Sequence, residues 1–326
     1  MTSSENSRPR PALVLSEKRR QKLVKKSTSA LISILRFILL AGISFVILYP
    51  LVTKILVSFM PVEDVYDMSV HYIPKTFTLS NYRQAWNFLN IPALALNSFL
   101  YPLVVSVVQT VSATVVAYGF ARFDFRFKNV FFFIVVLGMI VPPDLILLPL
   151  YVNFRYFDIF GIFNLILGEP LNLLNTMTPF VLLGITCTGL KNGLYIFMMR
   201  QYFRGLPKEL EEAAYVDGAG TLKAFVSVFL ASARQIMMTV FLFSFVWQWL
   251  DDIFTSVFLQ DVPMLTTELY RLISNSSGVD AGISNLTEFS LMRNCGMLFL
   301  IIPMLVLYLF CQRYFTESIE RSGLVG

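Results

Sequence analysis

Arg200-Gln-Tyr-Phe-Arg-Gly-Leu-Pro-Lys-Glu-Leu-Glu-Glu-Ala-Ala-Tyr-Val-Asp-Gly-Ala-Gly-Thr-Leu-Lys-Ala-Phe-Val-Ser-Val-Phe-Leu-Ala-Ser-Ala-Arg-Gln235 lies between two apolar runs, and the architecture turns on how it is read. Pro207 suits a first helical position, and Lys208 to Val216 is rich in Glu, Leu and Ala, which favour helix. Gly218 and Gly220 can end that helix and turn the chain, because glycine tolerates the left-handed backbone of a helix terminus. Thr221 is placed to cap a second helix, whose Leu222, Phe225, Val226 and Phe229 recur at the spacing of one apolar face. Two short helices meeting at a glycine corner are therefore expected. Glu209, Glu211 and Glu212 at a helix start favour the macrodipole without implying any function. Set beside membrane spans, however, the same elbow offers a rigid convex surface against which a soluble partner can push.

The flanking sequence supplies those spans. Of the 326 residues, 56% are apolar and only 14% charged, too apolar for a water-soluble globule. Apolar runs at about 31–59, 93–119, 129–151, 176–199, 236–259 and 289–312 predict an all-α, polytopic bundle of six transmembrane helices. The chain then divides into a basic tail (1–30), a membrane domain (31–315) containing the 200–235 loop, and a short C-terminal tail (316–326). The run after the basic block is too long for a signal peptide and has no cleavage site at the right distance. Segments 1–34, 120–128, 200–235 and 311–326 hold 8, 3, 5 and 2 Lys or Arg, against Lys75, Arg83, Arg155 and Arg271 on the other side. This asymmetry predicts that both termini are cytoplasmic. It also accounts for the net charge of +5 without a nucleic-acid partner. Cys187, Cys295 and Cys311 are an odd number in or near apolar runs, and His71 stands alone, so neither a disulfide framework nor a histidine metal site is expected.

Glu212-Ala213-Ala214, three residues, Gly218, nine residues, then Val228-Phe229-Leu230 resembles the EAA signature of binding-protein-dependent ABC importer permeases. One departure is plain: the family usually ends the signature with Leu-Pro, and Ala231 follows Leu230 here. That weakens the expected break after the second helix. The resemblance covers nearly the whole chain and is nearest to the sugar-importing branch, the type similar to the second permease of the maltose system. Ile73 to Tyr82, Asn97-Ser98, Ala117 to Arg122, Val141-Pro142-Pro143, Leu148-Pro149, Trp249-Leu250-Asp251 and Ile302-Pro303 through Phe315 carry it. Leu250 replaces the usual Asn, and Gly323 to Gly326 resembles a tail that reaches the ATPase in this family. The resemblance implies a carbohydrate uptake machine made of this chain, a second permease subunit, two ATPase subunits and an extracytoplasmic solute-binding protein. It also implies an ATPase-coupling role for Glu211, Glu212, Ala213, Ala214, Asp217, Gly218, Gly220 and Leu230. No Walker phosphate loop is present, so no cofactor is expected on this chain, and ATP and Mg belong to the partner ATPase.

Candidates for the solute path are Trp247, Trp249, Asp251 and Asp252 in the fifth run and Asp144 beside Pro142-Pro143. Aromatic faces stack on sugars, and a carboxylate within a bilayer needs a cavity or a partner. The competing reading is structural pairing or anchoring near the membrane edge. Lys191 and Asn192 interrupt the fourth run, and Lys191 is a possible partner for Asp251 or Asp252, whereas Arg36 and Lys54 most simply snorkel. Pro50, Pro102, Pro142-Pro143 and Pro303 predict kinked or broken spans. Segment 152–175 is long for a connector, which leaves it as a lip against the binding protein, a re-entrant segment or a cap on the bundle. The alternatives to sugar import are an ABC permease for another solute and a membrane enzyme. The enzyme reading lacks any catalytic constellation.

Overall fold

The computed structural model describes residues 11–274 and 285–323, with side chains described for 29–274 and 285–312. Arg8, Arg10 and the last three residues of the expected C-terminal tail lie outside the described residues. Among the described residues the structure is helical apart from turns and one isolated antiparallel bridge, Phe157 to Leu171. The chain divides into two units, Met1–Thr78 and Leu79–Gly326.

In the first unit, α1 (Pro11–Ser58) begins before the apolar run, and its side chains from Leu31 to Tyr49 are exposed. A helix that over 31–49 is apolar and exposed all round suits lipid. After α2 (Val62–Tyr66), the chain folds back: buried Asp64 accepts the backbone N–H of Lys75 at 2.8 Å, and Thr78 N–H bonds Phe59 O at 2.9 Å.

The second unit is built on α4 (Ile91–Arg122), which follows α3 (Ser80–Phe88). Then come α5 (Lys128–Gly138), α6 (Pro143–Arg155), α7 (Ile162–Leu167), α8 (Thr178–Ile185) and α9 (Asn192–Gly205). The elbow contains α10 (Glu209–Val216), α11 (Thr221–Ala224), a π-helical turn at Phe225–Phe229 and α12 (Leu230–Ser232). It leads into α13 (Arg234–Trp249), α14 (Ile253–Phe258), α15 (Leu265–Ser274) and α16 (Leu286–Gly323). Three cores are strung along α4. Its first turns pack with α3, α15 and α16; its middle packs with α6, α8 and α14; its last turns pack with α9, the elbow and α13.

Three described helices are long and apolar enough to cross a bilayer: Ser29–Ser58, Ile91–Arg122 and Leu286–Gln312. Counting each bent helix pair as one span raises the number to five. In the third expected crossing, α5 and α6 meet at 100°. Pro142 there is extended (φ −60°, ψ 130°), as a residue before proline prefers, so the expected break at Pro142-Pro143 forms. The fourth crossing is split into α8 and α9 by 186–191, where Cys187 and Lys191 take positive φ. In the fifth, α13 ends at Trp249 and a short α14 follows. At Pro50, Pro102 and Pro303 no break forms, and α1, α4 and α16 stay helical through them. A single proline removes one ladder bond, and in α4 close packing on several sides holds the helix together around it.

Candidate functional site

The elbow corner is a backbone construction. At the end of α10, Gly218 has φ +77°, its N–H donates to Tyr215 O at 3.0 Å, and Ala219 N–H donates to Ala214 O at 2.9 Å. These bonds satisfy carbonyls that a helix end otherwise leaves open. Gly220 behaves differently from expectation: it is extended (φ −73°, ψ 169°), a conformation any residue adopts, so the left-handed turn rests on Gly218. Gly220 also occupies the cap position expected for Thr221, which is the first residue of α11.

The expected apolar face of the second helix is split. The π-helical turn advances the register, so Ala224 and Phe229 are buried and Phe225 is half-buried, while Leu222 and Val226 face outward. Phe229 packs against Tyr118 and Phe203, and Tyr118 in turn packs against Phe225. Despite Ala231, the chain bends by 73° between Thr221–Ser232 and Arg234–Trp249, which corrects the expectation of a weakened break. The bend is made by side chains instead of proline: Ala233 is fully buried at the turn, Tyr202 OH donates to the carbonyl of Ser232, and Ser232 Oγ donates to Val228 O at 2.8 Å.

Arg122, the last residue of α4, joins the elbow to the bundle. Its Nη2 donates to Leu206 O at 2.8 Å, its Nη1 lies 3.6 Å from Glu211 Oε2, and its guanidinium sits 4.7 Å from the centre of the Phe229 ring. Tyr215 OH donates to the other oxygen of Glu211 at 2.9 Å. Among the coupling candidates, Glu211 therefore faces inward as an ion-pair partner, Ala214 is buried, and Leu230 is half-buried. Glu212, Ala213, Asp217 and Gly218 are exposed, beside exposed Val216, Leu222 and Val226. Arg122 entered the sequence reading only as the end of the Ala117 to Arg122 stretch and as one of the cations of segment 120–128, with no role of its own. The signal was its place at the end of a span, opposite an acidic elbow.

The Trp and Asp candidates do not form one cluster of free groups. Trp249 is buried, stacks on Phe245 and donates its indole N–H to Leu300 O at 3.1 Å. Asp251 holds the start of α14, its carboxylate accepting the N–H groups of Phe254 (3.2 Å) and Thr255 (3.0 Å). That is a helix-capping arrangement. Lys191 does not reach Asp251; its ammonium sits 4.5 Å from the centre of the exposed Trp247 ring, as a cation–π pair. Asp252 is half-buried and lines a cleft of about 650 Å³ with α15, and Asp144 is exposed on the first turn of α6. Asp251→Ala is expected to destabilise the protein by about 1 kcal/mol, the usual cost of a lost cap, and Trp247→Ala by much less, because its ring is half open to its surroundings. Thermal unfolding of the two purified variants measures the difference.

Gln248, which the sequence places with the Trp and Asp residues of the fifth run, belongs to buried polar contacts between α4, α13 and the 186–191 split whose other members the sequence reading did not single out. Tyr101 OH donates to Gln248 Oε1 at 2.6 Å, Ser244 Oγ donates to Gln109 Oε1 at 2.5 Å, and Gln109 Nε2 donates to Leu190 O at 3.3 Å. Ser112 Oγ reaches Gly184 O at 2.7 Å, which satisfies a carbonyl next to the split between α8 and α9. Gly189 lies close to these contacts, since a Cβ there would sit 2.9 Å from Gln109 Nε2 and would have to displace that amide. Glutamine and serine inside otherwise apolar runs were the available signal.

Long apolar helices and a braced helical elbow are what the described residues build. The chain belongs to the family of binding-protein-dependent transport system inner membrane components, which matches residues 109–316. It is similar to a probable ABC transporter permease of Pyrococcus horikoshii, with 31% identity over 87% of this chain and 92% of that relative. It is also similar to the arabinooligosaccharides transport system permease AraQ of Halalkalibacterium halodurans, with 26% identity over 93% of this chain and all of that protein. A crystal structure of a bacterial ABC transporter involved in the import of the acidic polysaccharide alginate contains a chain of the same fold (TM-score 0.66, 22% identity, 88% of this chain and 98% of that one). The chain is thus a multi-pass permease subunit of an ABC importer that works with ATPase and binding-protein partners, and it is a transport component rather than an enzyme.

Proposed function

We propose that this chain forms half of the membrane path of a carbohydrate importer, paired with a second permease subunit, and that its elbow docks in one of two ATPase subunits. The observation that carries the docking role is the outward face of the elbow, where Glu212, Asp217, Val216, Leu222 and Val226 are exposed on a corner braced from behind by Arg122. Exposed apolar side chains with flanking carboxylates on a rigid corner suit a protein interface. Cytoplasmic placement of the elbow and of both termini is supported by the distribution of Lys and Arg. A carbohydrate solute is supported by the likeness to the arabinooligosaccharide permease and by the aromatic and amide groups buried in the bundle. ATP and Mg are used by the partner ATPase, and this chain supplies the moving walls of the path.

The test is reconstitution of the assembled complex in lipid vesicles with its external binding protein, scored by ATP hydrolysis against panels of oligosaccharides, amino acids and peptides. Stimulation by an oligosaccharide is the expected result, and stimulation confined to another panel would replace the solute class. In the same assay Glu212→Lys is expected to lower stimulated hydrolysis about tenfold or more while leaving membrane insertion intact, because a reversed charge at an interface opposes docking. Unchanged stimulation by that variant would remove the elbow from the interface.

A further inference from the structure

A cavity of about 890 Å³ opens between the end of α4, the loop into α5, the end of α9 and the start of α10. It is lined by five cations, Arg122, Lys128, Arg200, Arg204 and Lys208, and by Asp124, Glu211 and Glu212. Two of the carboxylates are committed: Glu211 to Arg122, and Asp124 to Lys128 at 3.2 Å. Among the described residues no carboxylate lies within ion-pair distance of Arg200, Arg204 or Lys208. Arg200, Arg204 and Lys208 thus line the cavity without an ion-pair partner among the described residues.

Arg200 and Arg204 stand one turn apart on α9, a like-charge spacing that weakens a helix. Arg200 is only 8% exposed, with its guanidinium 3.8 Å from the centre of the Phe132 ring and its Nε donating to Phe120 O at 3.4 Å, so its charge is held in place and cannot swing into open water. On the opposite wall, buried Arg122 Nε has no hydrogen-bond partner. Fixed, partly desolvated guanidinium groups around a void favour a multidentate anion such as phosphate. The second feature is what adjoins the void. From Lys128 and Asn129 on its wall, α5 leads away with Phe131, Phe133, Ile134 and Leu137 exposed. A cationic pocket continuous with a bare apolar helix face matches a molecule with a charged head and hydrocarbon tails.

We propose that this cavity holds the phosphate headgroup of an anionic phospholipid, with its acyl chains lying along α5. The site brings the end of α4, the end of α9 and the first turn of α10 around one anion, so occupancy draws the elbow toward the bundle. The assignment rests on the chain's place in a membrane, and it is independent of the solute.

The full chain, co-purified with its partner subunits in mild detergent, is titrated with phosphatidylglycerol or phosphatidylcholine and bound lipid is counted by native mass spectrometry. The wild type is expected to retain phosphatidylglycerol in preference to phosphatidylcholine and to keep it in the presence of inorganic phosphate. Arg204→Gln and Lys208→Gln, both at exposed positions, are each expected to lower retention about fivefold, the effect of one Lys or Arg beside an anionic headgroup. Arg204→Lys restores the charge and is expected to restore most of the retention, and Arg155→Gln, at an exposed position outside the cavity, is expected to change nothing. Equal retention by wild type and the Arg204→Gln/Lys208→Gln double variant, or equal binding of the two lipids, would overturn the site. Displacement by inorganic phosphate alone would overturn the lipid assignment and leave a site for a soluble anion.

Discussion

Gly218→Pro is expected to abolish solute-stimulated ATP hydrolysis by the assembled transporter while leaving the spans inserted. Proline fixes φ near −65°, whereas the corner requires +77°, so the substituted chain cannot make the turn at all. It also removes the N–H that bonds Tyr215 O, reopening the end of α10. Space is not the issue, because a Cβ at Gly218 would meet nothing within 4 Å. Replacement by asparagine, which tolerates the left-handed region, is therefore expected to keep most of the stimulation, and alanine to fall between, at a conformational cost of about 1 kcal/mol. Protease protection of the spans in vesicles reports insertion, and phosphate release reports coupling. If Gly218→Pro hydrolyses ATP in response to solute as the wild type does, the corner plays no part in force transfer.

Arg122→Ala is expected to be the most damaging single truncation outside the apolar cores. The side chain is 6% exposed, and its loss leaves Leu206 O without a donor, half-buried Glu211 without its counter-charge and one face of Phe229 bare. Removing one member of a largely buried ion pair costs roughly 3 kcal/mol, mostly as the penalty of stranding the other charge. Arg122→Ala/Glu211→Ala is then expected to be more stable than Arg122→Ala alone, because the stranded carboxylate is gone as well. Thermal unfolding in detergent measures the order of the three proteins. A double variant no better than the single one would mean that the contact with Leu206 O dominates and the ion pair contributes little.

How far the chain could be read from its sequence depended on the range of the forces involved. The apolar runs and the elbow are local: hydropathy placed α1, α4 and α16, and the glycine at 218 marked a turn that the backbone indeed makes with positive φ. The interruption of the fourth crossing left only a trace, in Gly189, Lys191 and Asn192, because the split is stabilised from another helix by Ser112 and Gln109. The bend at Ala233 was underestimated for the same reason. A proline would have announced it locally, whereas Tyr202 secures it across thirty positions. Asp251 was legible as a residue needing a partner, yet its partners are two backbone amides, which no pattern of side-chain types reveals. Trp249 was read as a path residue on its chemistry, and burial against Phe245 gives it a packing role that only tertiary structure discloses.

The anchoring of α4 at both ends bears on how information crosses the protein. At one end Arg122 grips the elbow; at the other, Asn97 Nδ2 donates to Pro263 O at 3.2 Å and Ser98 Oγ accepts the N–H of Leu265 at 2.8 Å. A helix of 32 residues is about 48 Å long, and this one is hydrogen-bonded to neighbouring elements near both ends. Such a link works in both directions: whatever shifts the α14 to α15 connection must be sensed at the elbow with the same coupling free energy that the elbow exerts in return. On the proposed docking of the elbow against an ATPase, a binding protein that touches the α14 to α15 connection would act on that ATPase through α4.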